Sequence, residues 1–291
     1  MYPNNNLDTM KRDRPFAELV GAAEIVPMHF GKSRQAFQLR GCNGVLYKLR
    51  VCASIEKAVK FEQLVTVAAA AFPRFYGRDR NYLLLNYIDG AIFSGYQSAR
   101  SSAGELDQIG RIYTQIGEMH ATIHQQPHAL ASQSEQLDRK VERALRAIVQ
   151  ANIISSAERQ NILHDYTKLR QQVDFEFSYD LKSASHKDFI CTPTRVYYID
   201  EGAIGTLRGL GMVRLLEKIG RKINKKRTPN FQPFVINGYE SEGIPFPNAA
   251  YIDLLVSYDS IIRIAKRIPI LRPKELAKHI PTLQQRILKY H

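Results

Sequence analysis

Ser185-His186-Lys187-Asp188-Phe189-Ile190-Cys191, then Thr192-Pro193-Thr194-Arg195, then Val196-Tyr197-Tyr198-Ile199-Asp200-Glu201-Gly202 is the stretch that decides the fold. One carboxylate stands two residues after a histidine in a polar loop. A second closes an apolar run of strand-forming residues. These short extended pieces interrupt a long helical region. Upstream, Glu105 to His124 carries Ile109, Ile112, Ile116, Met119 and Ile123 at helical spacing, and Leu137 to Val149 and Ala157 to Val173 read as two more helices. Downstream, Leu207 to Ile223, Ala249 to Arg267 and Pro273 to Tyr290 read as helices, with Pro229, Pro233, Pro245 and Pro247 punctuating the region between.

The first third has a different period. Gln35 to Arg40 and Val45 to Val51 alternate as strands around a turn that holds Asn43-Gly44, a hairpin signature. Ser54 is a candidate N-cap for a helix running to Ala71, and Phe72-Pro73 stops it. Phe75 to Gly77 and Tyr82 to Ile88 read as two further strands, closed by Asp89-Gly90. A small β-rich lobe followed by a larger, mainly α-helical lobe is therefore expected, an α+β architecture.

Composition bounds the function. The chain has 291 residues, 44% of them hydrophobic, enough for one two-lobed domain. No apolar run approaches the roughly 18 residues of a membrane span, and Met1 to Arg14 has no apolar core of a signal peptide. Three cysteines, Cys42, Cys52 and Cys191, lack metal-ligand spacing and fit a reducing, cytoplasmic location. The net charge is +13, and residues 201–291 hold 16 Lys/Arg against 7 Asp/Glu. Attraction to phosphate or an anionic surface is one reading, a generic basic surface the other. The run Arg221 to Arg227 is the natural contact for such a surface. Tyr is abundant and Trp absent, with no base-stacking platform, so nucleic acid is not an expected partner.

Four chemistry-bearing residues then fall in order. Lys48 lies in the second hairpin strand, Glu62 in the helix 14 residues on, Asp188 in the His-x-Asp loop, and Asp200 at the end of the next extended run. Phosphoryl transfer needs a cation on the donor phosphates, an acid to orient it, a base near the acceptor hydroxyl and a carboxylate for magnesium. Glu56, eight residues after Lys48, is a rival for Glu62. His120 and His124 read as packing or capping groups near the catalytic loop rather than as metal ligands.

The chain resembles the aminoglycoside/choline phosphotransferase branch of the protein-kinase-like superfamily. The likeness rests on Tyr47-Lys48-Leu49 with Phe61-Glu62-Gln63-Leu64, on Pro73 to Gly77 and Tyr82 to Gly90, on Ile116 to His124, and on His186-x-Asp188 with Ile199-Asp200. It implies a protein-kinase-like two-lobed fold, with an N-lobe over 15–90 and a C-lobe over 91–291; the polar, charged residues 1–14 read as disordered. It also implies ATP and Mg²⁺ as cofactors. Lys48 would contact the nucleotide phosphates, held by Glu62. The turn Gly31 to Arg34, with Ser33, would lie over them. Leu85 to Ile88, including Tyr87, would form the adenine hinge. Asp188, with His186, would act on the acceptor hydroxyl, and Asp200 would hold the metal.

The sequence departs from that pattern in the loop. Pro193 stands where the family has Asn, five residues after the base, with Thr192 as the substitute ligand considered and Glu201 as a second metal oxygen. Asp188 and Asp200 are only 12 apart, and one strand of the usual hairpin is not evident. Three functions stay open. One is an ATP/Mg²⁺-dependent kinase of a small-molecule hydroxyl, sugar or amino-alcohol in type, neutral or anionic because the acceptor lobe is basic. The others are a pseudokinase binding module on the same fold, and a binder of nucleic acid or anionic surfaces. No activation segment ending in an Ala-Pro-Glu type of motif follows Asp200, which disfavours a protein acceptor.

Overall fold

The computed structural model describes residues 24–27, 36–41, 44–93, 102–126, 133–181, 186–200, 204–226 and 229–289. The expectations for 1–14, for Cys42, for the turn Gly31 to Arg34 with Ser33, and for Glu201 lie outside them.

The alternating segments form an antiparallel sheet. Strands β1 (Glu24–Pro27), β2 (Ala36–Arg40), β3 (Leu46–Val51), β4 (Phe75–Asp79) and β5 (Tyr82–Asn86) lie in the order β1-β2-β3-β5-β4. Lys48 sits between Gln38 of β2 and Leu85 of β5. Helix α1 (Ile55–Val67) starts where Ser54 accepts the Lys57 amide at 3.3 Å. It buries Ala58, Phe61, Leu64 and Val65. It stops at Val67, and a 3₁₀ turn over Ala69–Ala71 replaces the last helical turn expected from the sequence. Phe61 is fully buried and meets Phe72 and Phe75 edge-on, with ring centroids 5.1 and 6.0 Å away. Truncating a ring placed this way costs about 3–5 kcal/mol.

After β6 (Ala91–Ile92), the long helix α2 (Ala103–His124) opens on a capping box between Ser102 and Glu105. It is followed by α3 (Ser134–Gln150), α4 (Ser156–Gln172), β7 (Phe177–Leu181), β8 (Phe189–Cys191), β9 (Val196–Tyr198) and β10 (Ile204–Leu207). The chain ends with α5 (Leu210–Lys226), α6 (Gln232–Glu240), α7 (Ala249–Arg267) and α8 (Pro273–Leu288). The mixed small lobe and larger helical lobe are as expected. Helix α6 lies in the segment that proline punctuation marks as irregular. Pro233 is in its first turn, where the missing amide costs nothing. Strands β7 and β10, which pair antiparallel, were not foreseen either. Helices α2 and α6 cross closely: a methyl group at Gly117 would overlap the Val235 carbonyl, and one at Gly238 the Thr114 carbonyl.

One core cluster runs through both lobes, joining Phe61, Leu64, Phe72 and Leu85 to Tyr113, Ile116, Phe189, Tyr198, Val235 and Tyr239. A second lies between α3, α4, α7 and α8, around Leu145, Ile162, Leu255 and Ile287. The shared core fixes the sheet against the strands that carry Asp188 and Asp200. Among the described residues, no helix is long and apolar enough to cross a membrane.

Candidate active site

The decisive sequence folds as a complete hairpin. Phe189 pairs with Tyr198, Ile190 with Tyr197 and Cys191 with Val196. The Ile199 amide donates to the Asp188 carbonyl at 2.8 Å. A tight hairpin returns the chain to its start, so Asp188 and Asp200 stand together at the open end. The strand that the sequence did not reveal is present. A third strand, β6, pairs with β8, and the Phe93 amide donates to the Phe189 carbonyl at 2.9 Å. Gly90 permits this approach, since a Cβ there would overlap the Cys191 carbonyl. The segment leaving β5 is thereby tied to the strand that follows Asp188.

Lys48 faces this open end. It is buried, and its Nζ donates to the Ile199 carbonyl at 3.1 Å, one residue before Asp200. Side chains two apart on a strand share a face, so Arg50 follows Lys48 there. Its guanidinium lies 3.8 Å from Asp200 Oδ1. Asp188 is buried at the end of a 3₁₀ turn, His186–Asp188. Helix α5 brings Lys218 into its field. Burial holds this ammonium below the ordinary lysine range, the Asp188 carboxylate pulls it back up, and neighbouring arginines push it further down. Arg50 and Lys218 were missed. The strand alternation after Lys48 was a usable signal for Arg50, whereas nothing near Lys218 in sequence links it to Asp188.

Several site expectations change. The Glu62 carboxylate pairs with Arg78 Nε at 2.6 Å, so the acid expected to hold Lys48 is engaged with strand β4. Glu62 lies beside the buried stripe of α1, on the flank that meets this strand. The rival Glu56 pairs with Lys60 one helical turn on, at 2.9 Å, and is largely exposed. The Thr192 hydroxyl donates to the Arg195 carbonyl and accepts the Arg195 amide, both at 3.0 Å. It closes the hairpin turn, four residues or about 13 Å of strand from Asp188, and is not a ligand beside Asp200. Pro193 lies in the same turn. The Tyr87 amide donates to the Leu46 carbonyl at 3.1 Å, extending the β3–β5 ladder. Ile88 and Asp89 are thus the first residues past the ladder. Leu85 is buried in the shared core. His186 is buried, with Nε2 2.8 Å from the Tyr113 hydroxyl and its ring edge-on to Phe93. Burial pushes the Tyr113 hydroxyl well above the usual phenol range, so it stays protonated. These contacts make His186 the anchor of the Asp188 turn onto α2.

Behind the site, His124 bridges the Tyr239 hydroxyl at 3.0 Å and Asp180 Oδ1 at 2.9 Å. Asp180 Oδ2 accepts the Gly211 amide at 2.8 Å, and Arg208 donates to the Tyr239 hydroxyl at 3.2 Å. This network pins the Gly209–Gly211 turn that starts α5, where Gly209 has φ +79°. His120, His124 and Asp180 bring ligand-type atoms within 4.8 Å of one another, but both nitrogens of His124 are already used in hydrogen bonds. His120 is fully buried, and desolvation pulls its pKa down to about 3, so it is neutral at physiological pH.

Solved structures share this fold. Aminoglycoside phosphotransferase APH(2'')-Ib bound to ADP superposes with a TM-score of 0.64 at 12% identity, covering 94% of this chain and 96% of that one. Choline kinase LicA from Streptococcus pneumoniae gives 0.58 at 13% identity, with 99% of each chain covered. The fold is that of the aminoglycoside and choline phosphotransferases. Macrolide 2'-phosphotransferase MphH from Brachybacterium faecium also has it, with a TM-score of 0.58 at 12% identity over 97% of this chain and 98% of that one. Neither a protein-family model nor a curated protein matches the sequence. Hydrophobic pattern and topology therefore carry this likeness, not residue identity.

Proposed function

We propose that this protein is an ATP- and Mg²⁺-dependent phosphotransferase acting on a hydroxyl of a small molecule. The observation that carries the reading is the convergence of Lys48, through the Ile199 carbonyl, on the hairpin end that holds Asp188 and Asp200. Solved structures of this fold with bound ADP and AMP support a nucleotide in the cleft. Magnesium is commonly held by one or two carboxylates, with waters and phosphate oxygens completing its shell. Asp200, a third exposed and next to Asp188 at the hairpin end, fits that requirement.

Bound magnesium would neutralise charge on the β- and γ-phosphate oxygens. Lys48 and Arg50 bind the phosphate tail from strand β3. Asp200 would hold the metal. Asp188 would take the proton of the acceptor hydroxyl as that oxygen bonds to the γ-phosphorus and the bond from the γ-phosphorus to the β-phosphate oxygen breaks. Lys218 favours the ionised form of Asp188, and His186 orients its turn. The basic helical lobe suits a neutral or anionic acceptor, of sugar or amino-alcohol type, better than a polycation. The described cysteines, Cys52 and Cys191, are free thiols, which suits a reducing cytoplasm.

A second reading is a pseudokinase that binds nucleotide without transfer. The hairpin favours it: β8 starts directly after Asp188, so the residue in the position of the family's metal-binding Asn falls in a distant turn. Calorimetric titration with ATP and Mg²⁺, followed by a phosphate-release assay on Asp188→Ala and Asp200→Ala, separates the two. Turnover abolished by Asp188→Ala supports the enzyme. Nucleotide binding without Asp188-dependent turnover supports the module. Absence of nucleotide binding in the wild-type chain refutes both.

A further inference from the structure

Away from the cleft, helices α5, α7 and α8 enclose a pocket of about 370 Å³. Five cations line it: Arg221 from α5, Arg263 and Arg267 from α7, and Arg286 and Lys289 from α8 and its end. Among the described residues Glu217 is the only carboxylate in the lining, and it is shared, 4.0 Å from Arg221 and 3.8 Å from Arg263. Arg263 also pairs with Asp259 at 2.9 Å. Among the described residues no carboxylate pairs with Arg267 or Arg286. Burial and the charges of Arg286, Arg263 and Arg221 together hold the Arg267 guanidinium below the ordinary arginine range.

Like charges gathered in a concave site repel; solvent screens the exposed Arg221, Arg267, Arg286 and Lys289, and a bound anion would relieve the repulsion further. The C-terminal ends of α7 and α8 offset part of it, since Arg267 is the last residue of one and Arg286 lies in the last turn of the other. Two helix ends contribute about one charge in all, less than the two positive charges of Arg267 and Arg286. Four of the five are guanidiniums, whose forked donors match the oxygens of phosphoryl groups. They come from three helices, and the volume falls in the range of small-molecule pockets. An anion charged at more than one end matches that spread.

We propose that this pocket binds a molecule carrying two or more phosphoryl groups, either free or as a lipid head group. Lys48, Arg50, Asp188 and Asp200 do not line the pocket, while Lys218 feels both Asp188 and the lining residues Arg221 and Arg263. The expected attraction of the last third of the chain for anions then has a structural home, with Arg221 on its wall.

The test uses the full chain at low salt. Tripolyphosphate is titrated calorimetrically, and vesicles containing phosphatidylinositol bisphosphate are compared with pure phosphatidylcholine by flotation. Arg267→Ala with Arg286→Ala alters two exposed side chains, and its thermal midpoint checks the fold. Removing each charge-assisted hydrogen bond is expected to weaken binding about tenfold or more. The same binding should persist in Lys48→Met, which separates the pocket from the nucleotide cleft. Binding of either probe that the double substitution weakens supports the site, and vesicle-only binding puts the phosphates on a lipid surface. The site is refuted if neither probe binds, if the double variant binds as well as the wild type, or if only Lys48→Met reduces binding.

Discussion

Replacing Lys48 by Met keeps most of the side-chain length and removes the charge that joins the sheet to the hairpin end. In the free protein the loss is modest. The Nζ bond to the Ile199 carbonyl is a charge-assisted hydrogen bond, and the cost of burying an ammonium disappears with it, so stability should fall by no more than about 3 kcal/mol. On the proposed function the same ammonium would face phosphate oxygens of a bound nucleotide, and losing it should cost about 1.5–3 kcal/mol, or about 10- to 150-fold in affinity. Arg50 stays on the same face. At 3.8 Å from Asp200 its gross attraction lies between about 1 kcal/mol in water-like surroundings and about 4 kcal/mol at an effective dielectric of 20. Asp200 is a third exposed, so the net value lies near the lower end. Lys48→Met and Arg50→Met together should therefore depart from additivity, because both cations act on one phosphate tail and one carboxylate. Titration calorimetry with ADP and Mg²⁺ on the four chains, with a urea melt of each, measures the cycle. Unchanged ADP affinity in a fully folded Lys48→Met chain would show that this lysine does not face the phosphates, and the site would have to be reassigned.

Three further outcomes follow from the geometry. Thr192→Val removes two hydrogen bonds of the hairpin turn and should cost about 1–2 kcal/mol in a denaturant melt. It should leave metal affinity, measured with Mn²⁺, unchanged, and a large loss of affinity would put the threonine back at the metal. Gly117→Ala drives a methyl group into the Val235 carbonyl across the α2–α6 crossing and should cost about 3 kcal/mol or more; a near-neutral melt would mean the helices sit further apart. His120 takes up a proton near pH 6.5 when unfolded but only near pH 3 when folded. The unfolded state therefore binds more protons between those values, and stability falls as pH drops below about 6.5, by at most about 1.4 kcal/mol per unit. Above that range this group contributes no pH dependence. His120→Leu should flatten this part of the curve relative to wild type, with His124 and Asp180 common to both chains. Parallel curves from pH 7 to 5 would show that the imidazole is not held neutral.

The placement of the candidate residues on their elements was legible because it is local. The period-two pattern of Leu46 to Val51 places Lys48 on a strand, and the Ile199-Asp200 pair marks the end of another. Other expectations differ from the contacts in the structure for one reason: they required a partner from another element. Glu62 has helical spacing suited to holding Lys48, yet β4 offers Arg78 on the nearer flank. Thr192 is close to Asp188 in count, yet a hairpin reverses the chain and carries it away. Proline punctuation hid α6, because a proline is a breaker inside a helix and a neutral residue in its first turn.

The amino-acid order alone determined the two lobes, the strand lysine and the two acids, since each is written in short-range periodicity that the backbone must obey. Which charges meet was decided by folding. Register across β3 and β5, the hairpin's return and the packing of α5 and α7 bring Arg50 to Asp200, Lys218 toward Asp188 and four arginines around one pocket. Those pairings depend on separations of tens to hundreds of residues, which only the burial of a shared apolar core brings to contact distance.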